Sequence, residues 1–366
     1  MKILFFCTSL EPGCDGVGDY TRRLAGECAA RGHDCTLIAL NDPHALRASD
    51  TMSEELRLIR LPATDAWPDR IAVASALVRR LAPDWVSWQL VAQGFHPRGF
   101  LPTALLQSAS SLRGPRCHVM LHELWLGLEV GAPCKHRAFG WLQRHGVVCL
   151  LSRLDPDVIH TSNAAYAHAL AGEGYYAEVL ALFGNVPAGP AVNVPSPTAL
   201  TGTTFGTLHP QWQPTATVEW LRSTALRHGR TPVLLVLGRA GAHAPMLLSK
   251  FTGKGVRVET TGELSPAELS RYFQSADFGI APHPWVLLGK SGAAAAMLDH
   301  GLPVLAPRDE WRLRGASTPR IEDDEPLCAR LADLDVASTD RWLASRREPE
   351  SALPRVATAF LHSLWV

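Results

Sequence analysis

Twice along this chain, an apolar run of strand length passes through a Gly-bearing turn and a helix-period segment into another apolar run. No other feature restricts its fold as much. The first occurrence opens the sequence: Ile3-Leu4-Phe5-Phe6-Cys7 is apolar without alternation, as in a strand covered on both faces. Gly13, Gly16 and Gly18 follow, and residues 18–31 then place Tyr20, Leu24, Cys28 and Ala29 on one helical face. Gly32-His33 ends that helix before a second apolar run, Cys35–Leu40. Two such strands joined through a helix pair in parallel with a right-handed crossover. The pattern predicts further strands at 56–61, 84–88, 117–121, 147–151 and 157–161, with helices at 68–82, 100–113, 135–145 and 163–172.

Val186-Pro187-Ala188-Gly189-Pro190 and Pro195-Ser196-Pro197 interrupt the alternation, and such Pro-rich sequence reads as a linker. A second series follows, with strands at 203–208, 232–238, 255–260, 277–281 and 302–306 and helices at 215–228, 242–251, 265–275 and 291–300. Glu322–Glu325 reads as a solvated acidic loop, and 351–365 as an apolar helix ending in Leu364-Trp365. The expectation is an α/β chain of two doubly wound, Rossmann-like domains: 1–186, a linker over 187–200, and 201–345. Residues 346–366 are expected to form a helix that crosses back to the first domain, with Trp365 as its anchor. Open parallel sheets bind ligands at the carboxyl ends of their strands, so two facing domains would share a cleft.

A chain of 366 residues suits two domains of ordinary size. The formal net charge is zero, which excludes the overall basic field of a nucleic-acid binder. Eight cysteines without Cys-x-x-Cys spacing point to reduced thiols in a cytoplasmic protein and away from a metal site. The apolar run after Met1-Lys2 is cut off by Glu11-Pro12-Gly13, too early for a signal peptide. No run approaches the length of a membrane span, peripheral membrane contact stays open, and nothing in the pattern sets an oligomeric state.

The densest chemistry lies in 277–304, a strand, a loop, Gly289-Lys290-Ser291-Gly292, a run of alanines and Gly301-Leu302-Pro303-Val304. Backbone N–H groups at a helix start attract anions, and an adjacent Lys strengthens the site. Gly-Lys-Ser also ends the P-loop motif, but the Gly that motif needs is Pro284 here, so the P-loop reading fails on spacing. Phosphate is the expected ligand.

An ordered set of segments resembles the GT-B glycosyltransferases, in particular their retaining family 4 group. Gly16-Val17-Gly18-Asp19-Tyr20 through Arg31-Gly32-His33 looks like the opening of that family, and Leu121-His122-Glu123 like its strand ending in His and an acid. Thr161-Ser162-Asn163, Phe183-Gly184-Asn185-Val186-Pro187, Phe205-Gly206-Thr207 and Gly262-Glu263-Leu264 through His300-Gly301-Leu302-Pro303-Val304 follow in the family's order. There are departures. The family's diphosphate-binding Arg and Lys fall near Thr207 and Trp212, and its paired glutamates fall at Leu288 and Ala296.

The resemblance implies sugar transfer from a nucleotide-diphospho-sugar to a glycan or small-molecule acceptor, with retention, without metal and with no cofactor beyond the donor. It implies His122 beside the reacting sugar, with Glu123 supporting it and Asp19 near the acceptor. Gly16, Gly18, Lys290, Ser291 and Gly292 are the candidate donor and phosphate contacts, with Arg239 as a second cation. Ser162, Asn185, His283 and Trp285 complete the candidate site. The alternative is a catalytically reduced, glycosyltransferase-like partner protein that binds a nucleotide or sugar. A dinucleotide-dependent oxidoreductase fits poorly, because Gly16-Val17-Gly18 continues to Thr21 where the fingerprint requires Gly.

Overall fold

The computed structural model describes residues 1–365 apart from 54, 190–193 and 316–324. It divides into two compact units, the first being Met1–Ala181 with the described residues of Arg312–Pro319 and Leu353–Val366. The second comprises Leu182–Trp311 and the described residues of Arg320–Ala352.

The first unit runs β1 (Lys2–Cys7), α1 (Gly16–Ala30), β2 (Asp34–Asp42), β3 (Ser49–Ser53), β4 (Leu56–Pro62), α2 (Trp67–Leu81) and β5 (Trp85–Leu90). It continues with α3 (Thr103–Ser108), β6 (Arg116–Leu121), α4 (Cys134–Leu154), β7 (Val158–Thr161), α5 (Ala164–Ala171) and β8 (Glu178–Val179). The sheet order is β3-β4-β2-β1-β5-β6-β7-β8, parallel except at β3/β4. Phe5 on β1 lies beside Leu37 on one side and Ser87 on the other. Strands are therefore added on one side of β1 up to β4 and on the other side from β5, a reversal of order that places the switch point at Thr8 and the turn after Leu90.

The second unit runs β9 (Ala199–Phe205), α6 (Thr215–Arg227), β10 (Thr231–Leu237), α7 (Ala244–Thr252), β11 (Arg257–Gly262) and α8 (Pro266–Ser275). It closes with β12 (Phe278–Ile280), α9 (Gly292–Asp299), β13 (Val304–Ala306), β14 (Cys328–Arg330) and α10 (Val336–Leu343). Its parallel sheet is ordered β11-β10-β9-β12-β13-β14, so the reversal here falls between β9 and β12. Leu200, Leu234, Val236, Phe278 and Leu305 form its buried centre with Trp212 and Phe251. Small residues let α9 lie against its neighbours: a Cβ on Gly184 would come within 2.6 Å of Ala296 Cα.

The last helix, α11 (Leu353–Ser363), belongs to the first unit. Its Phe360 packs on Phe5 at 5.9 Å, and Arg31 donates to Pro354 O and to Thr358 Oγ1, each at 2.7 Å. Trp365 does not anchor it, being 69% exposed; Val356, Ala357, Phe360, Leu361 and Leu364 are the buried residues.

The strand expected at 147–151 is the second half of α4. Val147, Leu150, Leu151 and Leu154 are its buried positions, a spacing of three and four that only a helix puts on one face. Read as a short apolar run, the same residues mimic a strand. The helix expected over 100–113 is confined to α3 and a 3-10 turn at Ala109–Leu112. Of the expected acidic loop and linker, residues 322–324 and 190–193 lie outside the described residues.

Candidate functional site

In the first unit the loop after β1 and the start of α1 are built around Asp15. Its carboxylate accepts from Val17 N and from Thr8 Oγ1, both at 2.9 Å, which caps the helix and fixes the loop. Gly18 is required by close approach, since a Cβ there would stand 2.2 Å from Ser9 O, whereas one on Gly16 would meet nothing. Gly18→Ala is therefore expected to destabilise by about 1–3 kcal/mol in urea unfolding, from overpacking. Gly16→Ala should leave the midpoint unchanged or raise it slightly. Asp19 turns back on the same loop and accepts from Gly13 N at 3.1 and 3.2 Å, and burial raises its carboxyl above the ordinary value.

His122 follows β6 and is buried, with the ring of Tyr20 edge-on at 4.8 Å. Burial lowers its pKa to about 3, so the imidazole is neutral at pH 7. Its Nε2 lies 2.9 Å from Gln89 Oε1, while the Gln89 amide nitrogen donates to Ser87 Oγ at 2.9 Å. With the amide turned that way, Nε2 must carry the proton and Nδ1 the lone pair. The chain of polar contacts continues from Ser87 Oγ to His118 Nδ1 at 2.8 Å, and from His118 Nε2 to His160 Nδ1 at 3.0 Å. All five residues are buried, and Phe360 of α11 closes over His118 at 5.1 Å. Sequence reasoning missed Gln89 and Ser87. Their signal was two polar residues at i, i+2 in the otherwise apolar strand Trp85–Leu90. Glu123 is half-buried next to His122, and Ser162 is buried after β7, accepting from Asn163 Nδ2 at 3.3 Å.

In the second unit the candidate groups gather at the carboxyl ends of strands around the β9/β12 reversal. His209 follows β9, His283 and Trp285 follow β12, and Arg308 follows β13. Lys290 ends the 3-10 turn Trp285–Lys290, and Ser291 caps α9 by accepting from Ala294 N at 3.2 Å, with Gly292 as its first residue. Arg308 is buried and donates to His209 Nδ1 at 3.0 Å and to Gln211 Oε1 at 3.2 Å; its ion pair with Glu310 measures 2.6 Å. Its backbone carbonyl accepts from Trp285 N at 2.8 Å, which ties the β12 loop to the β13 loop.

Burial first, then the charges of Arg308 and Lys290, lower the pKa of His209. For His283, burial and then Lys290, His209 and Arg308 bring it down to about 4. The buried Nδ1 of His283 has no hydrogen-bond partner among the described residues. A buried polar atom without a partner calls for one, and cations around it favour an anion. Arg239 is not brought into this group. It lies after β10, exposed, in an ion pair with Glu263 at 3.1 Å, and its charge does not register at His209 or His283. Asn185 is half-buried and, like these residues, belongs to the second unit. His209 and Arg308 escaped sequence reasoning because they lie far apart in the chain and meet only through the strand order. A basic side chain within four residues of the end of a buried strand was their available signal.

Two parallel α/β units, each with polar candidates at its switch point, give this chain the GT-B fold of the glycosyltransferases. Solved structures of that fold match its whole length. The apo lipopolysaccharide outer core galactosyltransferase WaaB is 13% identical at TM-score 0.57, covering 100% of this chain and 99% of that one. Sucrose-phosphate synthase from Thermosynechococcus elongatus is 13% identical at TM-score 0.60, covering 100% and 96%. Anabaena HepE in complex with UDP and glucose is 13% identical at TM-score 0.60, covering 100% and 99%. Such likeness establishes the fold and nothing finer. No family model and no curated protein matches the sequence.

Proposed function

We propose that this chain is a glycosyltransferase that moves a sugar from a nucleotide-diphospho-sugar to a glycan or small-molecule acceptor. The second unit would hold the donor diphosphate, and the first the acceptor, with His122 at the reacting sugar. The observation that carries this reading is the unpaired, buried Nδ1 of His283 among Lys290, His209 and Arg308. Departure of a nucleoside diphosphate concentrates negative charge on the leaving oxygens, and fixed cations with helix-start N–H groups lower that barrier. Lys290, Arg308 and the start of α9 supply such groups, so we read the reaction as independent of metal and cofactor. Arg308 comes from the β13 loop, and takes over from the cations that the resemblance would place near Thr207 and Trp212. A UDP complex of a protein with this fold, HepE, supports a nucleotide donor. Transfer of a hexose with retention is the finer expectation, with the neutral His122 accepting a hydrogen bond from a sugar hydroxyl at Nδ1. Eight free cysteines fit a reducing, cytoplasmic setting.

A second reading, a catalytically reduced partner that binds a nucleotide or sugar, is favoured by the burial of Leu288 and Ala296 where the resemblance would place paired glutamates. A panel of nucleotide sugars separates the two. Under the first reading one member raises the unfolding stability by about 2.7 kcal/mol at a hundredfold excess over its Kd and is consumed, by hydrolysis or transfer. Stabilisation without consumption selects the partner protein. A panel with no stabilising member rules out both.

A further inference from the structure

The first half of α4 presents an apolar ridge to solvent. Gly140, Gln143, Val147, Leu150 and Leu151 form its buried face, and a Cβ on Gly140 would come within 1.8 Å of Leu126 O, so that side is closed by the preceding loop. Trp141 and Leu142 lie on the other side, 62% and 47% exposed, with Val130 of the preceding loop also 62% exposed. Lys135 and Arg137, both exposed, flank this ridge at helical spacing, and the Arg98 guanidinium lies 5.9 Å from the Phe139 ring beside it. Over its full length α4 carries four Lys or Arg and no Asp or Glu, in a chain whose formal net charge is zero. Arg144 is paired with Glu173 at 2.5 Å, which leaves Lys135 and Arg137 as the cations nearest the ridge.

An apolar strip carrying a Trp and bordered by cations matches the boundary between lipid headgroups and acyl chains. A convex helix ridge can sink into that boundary, whereas a peptide ligand would need a groove. The concentration of positive charge on one helix of a neutral protein specifies the sign of the surface. We propose that the α4 face, centred on Trp141 and Leu142 and flanked by Lys135 and Arg137, docks the protein on an anionic lipid bilayer. Docking requires no spanning segment, and no helix of the described residues is long and apolar enough to cross a membrane. The inference is independent of the catalytic reading.

Flotation with vesicles tests it on the full chain. The protein should rise with vesicles of phosphatidylcholine containing phosphatidylglycerol, stay behind with phosphatidylcholine alone, and be released by about 0.5 M salt. Each cation near such a surface contributes roughly fivefold in affinity, so the double variant K135Q/R137Q should bind about 25-fold more weakly. Trp141→Ala should also weaken binding, with the thermal unfolding midpoint unchanged for all variants because these side chains are exposed. Equal binding to both vesicle types, no binding to either, or an unaffected double variant overturns the proposal. So does a concentration-dependent dimer that Trp141→Ala dissociates in the absence of lipid binding; the ridge would then be an interface between two copies.

Discussion

Lowering the pH from 7 to 4.5 is expected to cost this protein several kcal/mol of stability, most of it from three histidines in the first unit. His118, His122 and His160 are buried, and desolvation is the first cause of the lowered pKa of each. His122 is brought to about 3 and His160 to about 4, against an unfolded value near 6.5. The sign follows from proton counting. Above pH 6.5 neither state binds protons at these sites and the native state keeps its full advantage. Between 6.5 and the folded values the unfolded chain binds protons that the native chain refuses, so stability falls as pH falls. At pH 4.5 depressions to these values are worth roughly 2–3 kcal/mol for each of His122 and His160, and His118 acts in the same direction. Urea midpoints across this range check it, together with His160→Gln. That variant should begin less stable, because His118 loses a partner, yet show a shallower slope by about one proton. A flat profile, or a His160 ring resonance titrating near pH 6.5, would rule the account out.

The same histidines show what the sequence could and could not disclose. His122 was legible because it ends an apolar strand, where open parallel sheets place their ligand contacts. Its partner was not, because nothing local links Gln89 to a residue on the neighbouring strand; that contact exists only through the β5/β6 register. The fold was legible wherever burial on both faces leaves an unbroken apolar run, as in β1, β2 and β10. It was illegible in β3, whose Ser49-Asp50-Thr51-Met52-Ser53 is an exposed antiparallel edge with no apolar signal. It was misread in α4, where an apolar run shorter than two turns fits either period. In the second unit Lys290 stood out by its Gly-Lys-Ser-Gly setting. Arg308 did not, since a lone Arg after a Pro has many uses until topology puts it beside His209.

Lys290→Ala is expected to weaken the binding of a nucleoside diphosphate by about 10–150-fold, the range for losing one charge-assisted contact. Lys290 is half-exposed at the end of a short turn, so the unfolding midpoint should hardly move. Arg308→Met should weaken binding by at least as much and also lower stability, because the substitution leaves His209 Nδ1 and Glu310 without the guanidinium. Comparing the two variants separates charge lost at the ligand from damage to the support around it. Proton linkage gives a third, independent readout. Arg308 and Lys290 act against protonation of His209 and His283, and a bound diphosphate would offset that repulsion and raise both pKa values. Binding must then take up protons, so affinity should rise as pH falls from 7.5 towards 6, and the heat of binding should vary with the ionisation enthalpy of the buffer. Lys290→Ala should blunt this dependence, because one of the charges holding the histidines neutral is gone. If affinity is independent of pH and unaffected by Lys290→Ala, the diphosphate is held elsewhere in the molecule and the basic group around His283 is structural.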